Sequence, residues 1–176
     1  ALVVEEIAHQ GGKAVGCVES IATMAGAEHL IQTAIDAFGR LDVLVNNAGI
    51  TRDRTLINMT EEEWDEVIGV HLKGTFACSK FAAIQMRAQK GGRIINTIAS
   101  GGLQGGFGRG NYAAAKGGIL SLTFTWALEL ARHNITVNAL RPEARTRMTE
   151  PLIERAQQAA ASGVPDPNIG RRWPEP

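Results

Sequence analysis

The sequence predicts an α/β protein, a doubly wound parallel sheet with helices on both faces. Three observations predict it. Short apolar runs alternate with longer amphipathic ones along the whole chain. Residues 41–45 are nearly all apolar, the pattern of a parallel strand covered on both sides. Each unusual motif falls at the carboxyl end of a predicted strand, where such sheets bind ligands: Glu19-Ser20, Asn46-Asn47-Ala48-Gly49, Ala99-Ser100 and residues 141–146.

The elements follow in order. Residues 2–9 read as the tail of an amphipathic helix closed by Gly11-Gly12. Residues 14–18 form a short apolar run that suits a buried strand. Over 25–38, Leu30, Ile31, Ala34, Ile35 and Phe38 share one helical face, and Gly39 stops the helix. Strand 41–45 then runs into Asn46. Thr60-Glu61-Glu62-Glu63 is a capping box, so these acids start a helix rather than bind a metal. Trp64, Val67, Ile68, Leu72, Phe76 and Phe81 carry one helical pattern on to Gln89. Gly91-Gly92 breaks it, and 93–98 is a strand. After a glycine-rich run at 101–110, residues 112–132 form a helix with apolar side chains all round it. Strand 135–140, a polar loop at 142–149 and a helix at 150–161 follow. Residues 1–162 therefore form the domain, and 163–176, with four prolines from Pro165 on, an extended tail.

The chain has 176 residues, 44% hydrophobic and 20% charged, enough for one domain with a real core. Net charge is zero, which leaves no electrostatic case for nucleic acid or an anionic membrane as partner. Cys17 and Cys78 lack the spacing of a disulfide framework or zinc site, so no metal is expected and a reducing cytoplasm is the expected location. No signal peptide is expected, and no apolar run in the sequence is long enough to span a bilayer. The sequence opens at Ala1 in mid-pattern, and residues upstream of it are expected.

The chemistry centres on Tyr112 and Lys116. They are four residues apart, so on a helix their tips converge on one ligand. A free tyrosine, with a pKa of about 10, is a poor acid or base at neutral pH. A nearby ammonium is expected to favour the phenolate and lower that value. The pair would then exchange a proton with an alcohol or carbonyl. Taken alone, Y-x-x-x-K also fits a helix that happens to carry both residues.

The neighbouring motifs decide between these. N-N-A-G after a buried strand, an Ala/Ser/Gly-rich strand end, Y-A-A-A-K and V-N-A-L-R-P resemble, in order and spacing, the short-chain dehydrogenase/reductase family over about residues 1 to 160. V-E-E-I-A-H-Q-G-G-K-A-V, N-N-A-G-I-T-R-D-R, V-H-L-K-G-T-F and R-P-E-A-R-T-R-M-T are most similar to the hydroxyacyl-CoA dehydrogenase part of peroxisomal-type multifunctional enzymes, with 3-oxoacyl-carrier-protein reductases next. The resemblance implies a Rossmann-type fold, NAD or NADP as cofactor, and a 3-hydroxyacyl or 3-oxoacyl thioester as substrate, carried on CoA or acyl-carrier protein. It implies Tyr112 as acid/base, and Lys116 as the group that tunes it and binds the nicotinamide ribose. Asn46, Ala48 and Gly49 would line the adenosine side, Glu19 and Ser20 the adenine, Pro142 the turn beneath the nicotinamide, and Thr146 the closing loop. Asn46 has a second reading, as a hydrogen bond that fixes the sheet.

Three departures matter. The family's T-G-x-x-x-G-x-G phosphate loop does not occur; Gly101 to Gly110 reads instead as substrate-loop material. The expectation is therefore a chain lacking the first two strands and the last strand of the family sheet, which would leave 14–18 without a neighbour. Counting back thirteen residues from Tyr112 lands on Ala99, one short of Ser100, where the family carries the serine that holds the substrate oxygen. Ser100 is the candidate for that role and Thr97 a poorer one; the other reading of Ser100 is a polar strand terminus. His71 stands where many relatives have an asparagine in a proton relay, and is either catalytic or structural. A non-catalytic scaffold with the same core is the alternative function. Homotetramers or dimers are expected through the helices over 75–89 and 112–132, which carry Phe76, Phe81, Phe124 and Trp126.

Overall fold

The computed structural model describes residues 2–142, 154, 158 and 161–163. The order is α1 (Leu2–His9), α2 (Met24–Phe38), β1 (Val43–Asn46), α3 (Glu61–Ile68), α4 (Gly74–Ala88), β2 (Gly92–Thr97), α5 (Ser100–Gln104), α6 (Gly110–Leu130) and β3 (Ile135–Leu140). The predicted last helix, the polar loop beyond Pro142 and the proline-rich tail lie, apart from those few positions, outside the described residues.

The three strands form one parallel sheet in the order β1-β2-β3. Asn46 pairs with Asn96 and Thr97 with Leu140, so the carboxyl ends of all three strands share one edge. Leu44, Ile94, Ile135 and Val137 point to one face and are buried against α2, α4 and α6, with Ala27, Ile31, Ala77, Ala82 and Met86 filling the core. On the other face Val43, Val45 and Leu140 stay half exposed.

Residues 14–18 were expected to form a strand and do not. No strand lies beside them in the described residues, and Val18 is fully exposed at 101%. A strand needs a partner for its peptide groups, and apolar composition alone does not supply one.

Local signals held where the chemistry is local. Thr60 Oγ1 accepts from Glu63 N and Glu63 Oε2 accepts from Thr60 N, both at 3.2 Å, completing the capping box. Thr23 caps α2 by accepting from Gly26 N, and Gly39 closes it. The single helical pattern over 64–89 is split: α3 and α4 are joined by a π-helical turn, Gly69–Lys73. Its wider hydrogen-bonded ring presents His71 to the interior, where it is 2% exposed.

A polar ladder crosses the buried face. Asn46 Nδ2 donates to Ser79 Oγ on α4 (2.9 Å) and to Asn96 Oδ1 (2.8 Å), and Asn96 Nδ2 donates to Thr123 Oγ1 on α6 (2.9 Å). Thr123 Oγ1 in turn donates to Ile119 O at 2.8 Å. Every member is satisfied, so the ladder fixes both helices on the sheet at little desolvation cost. This is the sheet-fixing role for the Asn46 side chain. Asn96→Ala should cost about 2 kcal/mol, through the lost bonds and the cavity; urea denaturation followed by circular dichroism measures it.

Candidate active site

The site forms where the sheet edge meets the first turn of α6. Asn111, wholly buried, holds that turn in place: its Nδ2 donates to Arg52 O (3.0 Å) and Glu63 O (2.9 Å), and its Oδ1 accepts from Tyr112 N (2.7 Å). Tyr112 and Lys116 then face inward, one helical turn apart, both buried. Lys116 Nζ lies 5.7 Å from the Tyr112 ring centroid and donates to Thr97 O, the last residue of β2, at 2.6 Å. Thr97 Oγ1 donates to Asn47 Oδ1 at 3.1 Å, tying the loop after β1 to the same point.

The glycine-rich run closes the other side as α5. A Cβ on Gly101 would lie 3.8 Å from Tyr112 Cδ1 and Cε1, and one on Gly102 only 2.7 Å from the backbone of Lys116 and Gly117. Glycine at 102 is thus what lets α5 rest on α6. Ser100, half buried, opens this helix, with Ala99 as its N-cap.

His71 packs edge-on against Tyr112, with centroids 5.2 Å apart at 83°. Its Nε2 lies 3.0 Å from Ile50 N and 2.8 Å from Ile50 O. Among the described residues its Nδ1 is the one buried side-chain polar atom without a partner. Burial first, then the Lys116 and Arg109 charges, hold its pKa below the usual value against the opposing bond to Ile50, so the ring is neutral at pH 7. A Cβ on Gly49 would clash with His71 Cε1. The bare backbone at 49 thus makes room for this imidazole, a reason the sequence did not reveal.

The expected acidification of Tyr112 by Lys116 is corrected by the structure. Burial dominates and raises the phenol's pKa; the charge that opposes this is Arg109, not Lys116. The ammonium is occupied at Thr97 O, and burial lowers its own pKa to about 8. Arg109 and Asp53 escaped the sequence reading because they are remote from each other along the chain. The guanidinium Cζ sits 4.5 Å from the Tyr112 ring centroid, and Nε donates to Asp53 Oδ1 at 3.2 Å.

The other expected positions divide. Asn46, Ala48 and Gly49 lie at the sheet edge with Thr97, and Ala48 is exposed. Pro142 is exposed just beyond β3. Glu19 and Ser20 are exposed before α2, and no hydrogen bond joins them to Tyr112 or Lys116 among the described residues. Ser20 instead shapes the turn into α2, its carbonyl accepting from Thr23 Oγ1 at 3.2 Å. Thr146 lies outside the described residues. None of the described helices is long and apolar enough to cross a membrane.

Comparison with known proteins agrees with this architecture. The family model described as short chain dehydrogenase matches residues 1–157. The chain belongs to the short-chain dehydrogenase family. It is 48% identical over 152 residues to the Drosophila melanogaster peroxisomal multifunctional enzyme type 2, covering 86% of this chain and 25% of that protein. It is 41% identical over 170 residues to the Thermotoga maritima 3-oxoacyl-[acyl-carrier-protein] reductase FabG, covering 96% of this chain and 69% of that one. A Burkholderia cenocepacia gluconate 5-dehydrogenase solved with NADP and tartrate superposes with a TM-score of 0.84 at 28% identity, over 92% of this chain and 64% of that one. The chain thus spans a quarter of the first relative and about two thirds of the other two.

The buried ammonium has a measurable signature. The folded pKa of Lys116, about 8, is below its ordinary 10.5. The unfolded chain binds that proton more tightly, so this residue adds stability as pH rises through that interval. Cys78 and Tyr112, both raised by burial, act in the opposite sense. Lys116→Met isolates the lysine: between pH about 8 and about 9.5 the wild-type urea midpoint should gain on that of the variant.

Proposed function

We propose that the protein is an NAD(P)-dependent oxidoreductase that interconverts a secondary alcohol and a ketone, with Tyr112 as the proton donor and acceptor. The observation that carries this reading is the buried Tyr112–Lys116 pair at the carboxyl edge of a parallel sheet. A bound nicotinamide supplies or accepts the hydride. Lys116 fits such a cofactor: an ammonium has three N–H donors, and Thr97 O takes one, leaving two for ribose hydroxyls. Asn46, Ala48 and Gly49 on the adenosine side, with Glu19, Ser20, Pro142 and Thr146 further along it, complete the proposed cofactor surface. NAD and NADP both remain candidates; the Burkholderia relative was solved with NADP.

In the reducing direction the Tyr112 O–H bond breaks, the proton goes to the substrate oxygen, and the electron pair stays on Oη. A phenol whose pKa is raised by burial is fully protonated at neutral pH, which suits the donor role. Ser100, at the start of α5, is proposed to donate a hydrogen bond to the substrate oxygen as charge develops on it. His71 is proposed as a proton-relay residue, supported by its neutral ring in contact with Tyr112. A 3-oxoacyl or 3-hydroxyacyl thioester is the proposed substrate class, following the named activity of the Thermotoga relative. The cytoplasm is the proposed location, with both described cysteines free.

The proposed assembly is a homotetramer, or failing that a dimer. Its support is the apolar surface that α4 and α6 turn outward, including Phe76, Ile84, Phe124 and Leu128. Sedimentation equilibrium should give the tetramer mass, and a monomer throughout would remove this assignment.

Tyr112→Phe should lower carbonyl reduction, followed by loss of reduced-cofactor absorbance, by about 100-fold or more. Undiminished turnover in that variant refutes the assigned role, and absence of turnover in the wild type with any thioester favours a binding scaffold.

A further inference from the structure

The tyrosine has a neighbour that the reaction scheme above does not use. The Arg109 guanidinium caps the Tyr112 ring face at 4.5 Å, closer than the 5.7 Å of the Lys116 ammonium. Arg109 comes from the residue just before α6, and Asp53 from the loop that follows β1. Those two loops are also joined along their backbones: Arg54 N donates to Gly108 O at 2.7 Å, in a parallel bridge between Arg54 and Arg109. The ion pair is therefore held at a fixed place over the ring.

It is also sheltered. The side chains of Arg109 and Asp53 are 17% and 30% exposed, against 66% and 60% for Arg40–Asp42 and 48% and 52% for Arg52–Glu66. Charges so placed are screened less by water and salt than an open surface pair. The other groups around the ring are accounted for. His71, from the π-helical turn, is held neutral by burial. Lys116, from α6 itself, is bonded to Thr97 O. α5, with the sequence SGGLQ, carries no charge. α3 meets this turn through Asn111, and its Glu63 carboxylate is taken by Arg54 and Thr60 N.

We propose that the Asp53–Arg109 pair is a positioning device for Tyr112, in which Asp53 anchors the guanidinium over the ring and the guanidinium favours the phenolate left when the tyrosine gives up its proton. The inference rests on the catalytic reading of Tyr112 for its purpose, but not for its test. The direction of each charge agrees with it: Arg109 lowers the phenol's pKa and Asp53 raises it, against a larger upward push from burial. Asp53 thus does two things at once, holding the cation in place and offsetting part of its field.

The sequence contains a single tyrosine, so phenolate formation can be read directly from near-ultraviolet absorbance, without cofactor or substrate. Arg109→Gln should raise the titration midpoint by roughly half to one pH unit. Asp53→Asn keeps an acceptor for Nε while removing the negative charge, and should lower the midpoint by a smaller amount. The expected order of midpoints is therefore Asp53→Asn, wild type, Arg109→Gln. Circular dichroism identifies any variant that fails to fold. Should Arg109→Gln fail, Arg109→Lys takes its place and should lie between wild type and the order's upper end. Folded variants whose midpoints coincide with wild type, or that reverse the order, overturn the proposal. Loss of turnover in Tyr112→Phe bears on the functional reading alone, so the two can fail separately.

Discussion

The bond from Lys116 Nζ to Thr97 O is the constraint on which the site depends. It brings an ammonium out of water, which is unfavourable, and sets it against the last carbonyl of the central strand. A buried cation must have a fixed partner, and this one fixes the rotation of α6 about its own axis. Once that rotation is set, the residue one turn earlier, Tyr112, has to face the same edge. Asn111 pins the start of the helix to α3 and the Arg52 carbonyl. Lower down, Thr123 joins it to the Asn96 ladder. Three polar anchors on one helix leave it little freedom to roll or slide.

The same burial that orders the site also tunes it. Removing water raises the phenol's pKa and lowers those of the ammonium and the imidazole, so each group moves towards its neutral form. Membership of the short-chain dehydrogenase family places this pocket in a large set of oxidoreductase relatives. Within the pocket a guanidinium lies on the tyrosine face and an imidazole at its edge. Gly49 and Gly102 are the complementary concessions, bare backbone where the His71 ring and α6 approach.

Much of this was legible in the sequence, for reasons of range. Thr60 and Glu63 are three apart and Tyr112 and Lys116 four apart, so their juxtaposition follows from helix geometry. The ends of strands 41–45 and 93–98 moved by only a residue or two, because the glycines and the Asn46-Asn47 corner punctuate them. The run at 14–18 misled because being apolar does not supply a pairing partner. The sign of the tyrosine's shift was misjudged because desolvation depends on what covers a side chain, which no four-residue spacing records. Asp53 and Arg109 meet only through folding, and nothing local marks either as a neighbour of the tyrosine.

The turn Gly69–Lys73 inserts a surplus residue into what would otherwise be one uninterrupted rod from Glu61 to Ala88. An ordinary helix advances by about 100° per residue, so the surplus changes the phase between its two halves. The half before the turn directs Val67 inward, and the half after it directs Ala77, Cys78 and Ala82 inward, with the imidazole at the join. A lineage that lost one residue here could keep either half in its groove but not both. Length in this stretch should therefore be guarded more strictly than the identity of the side chains that fill it.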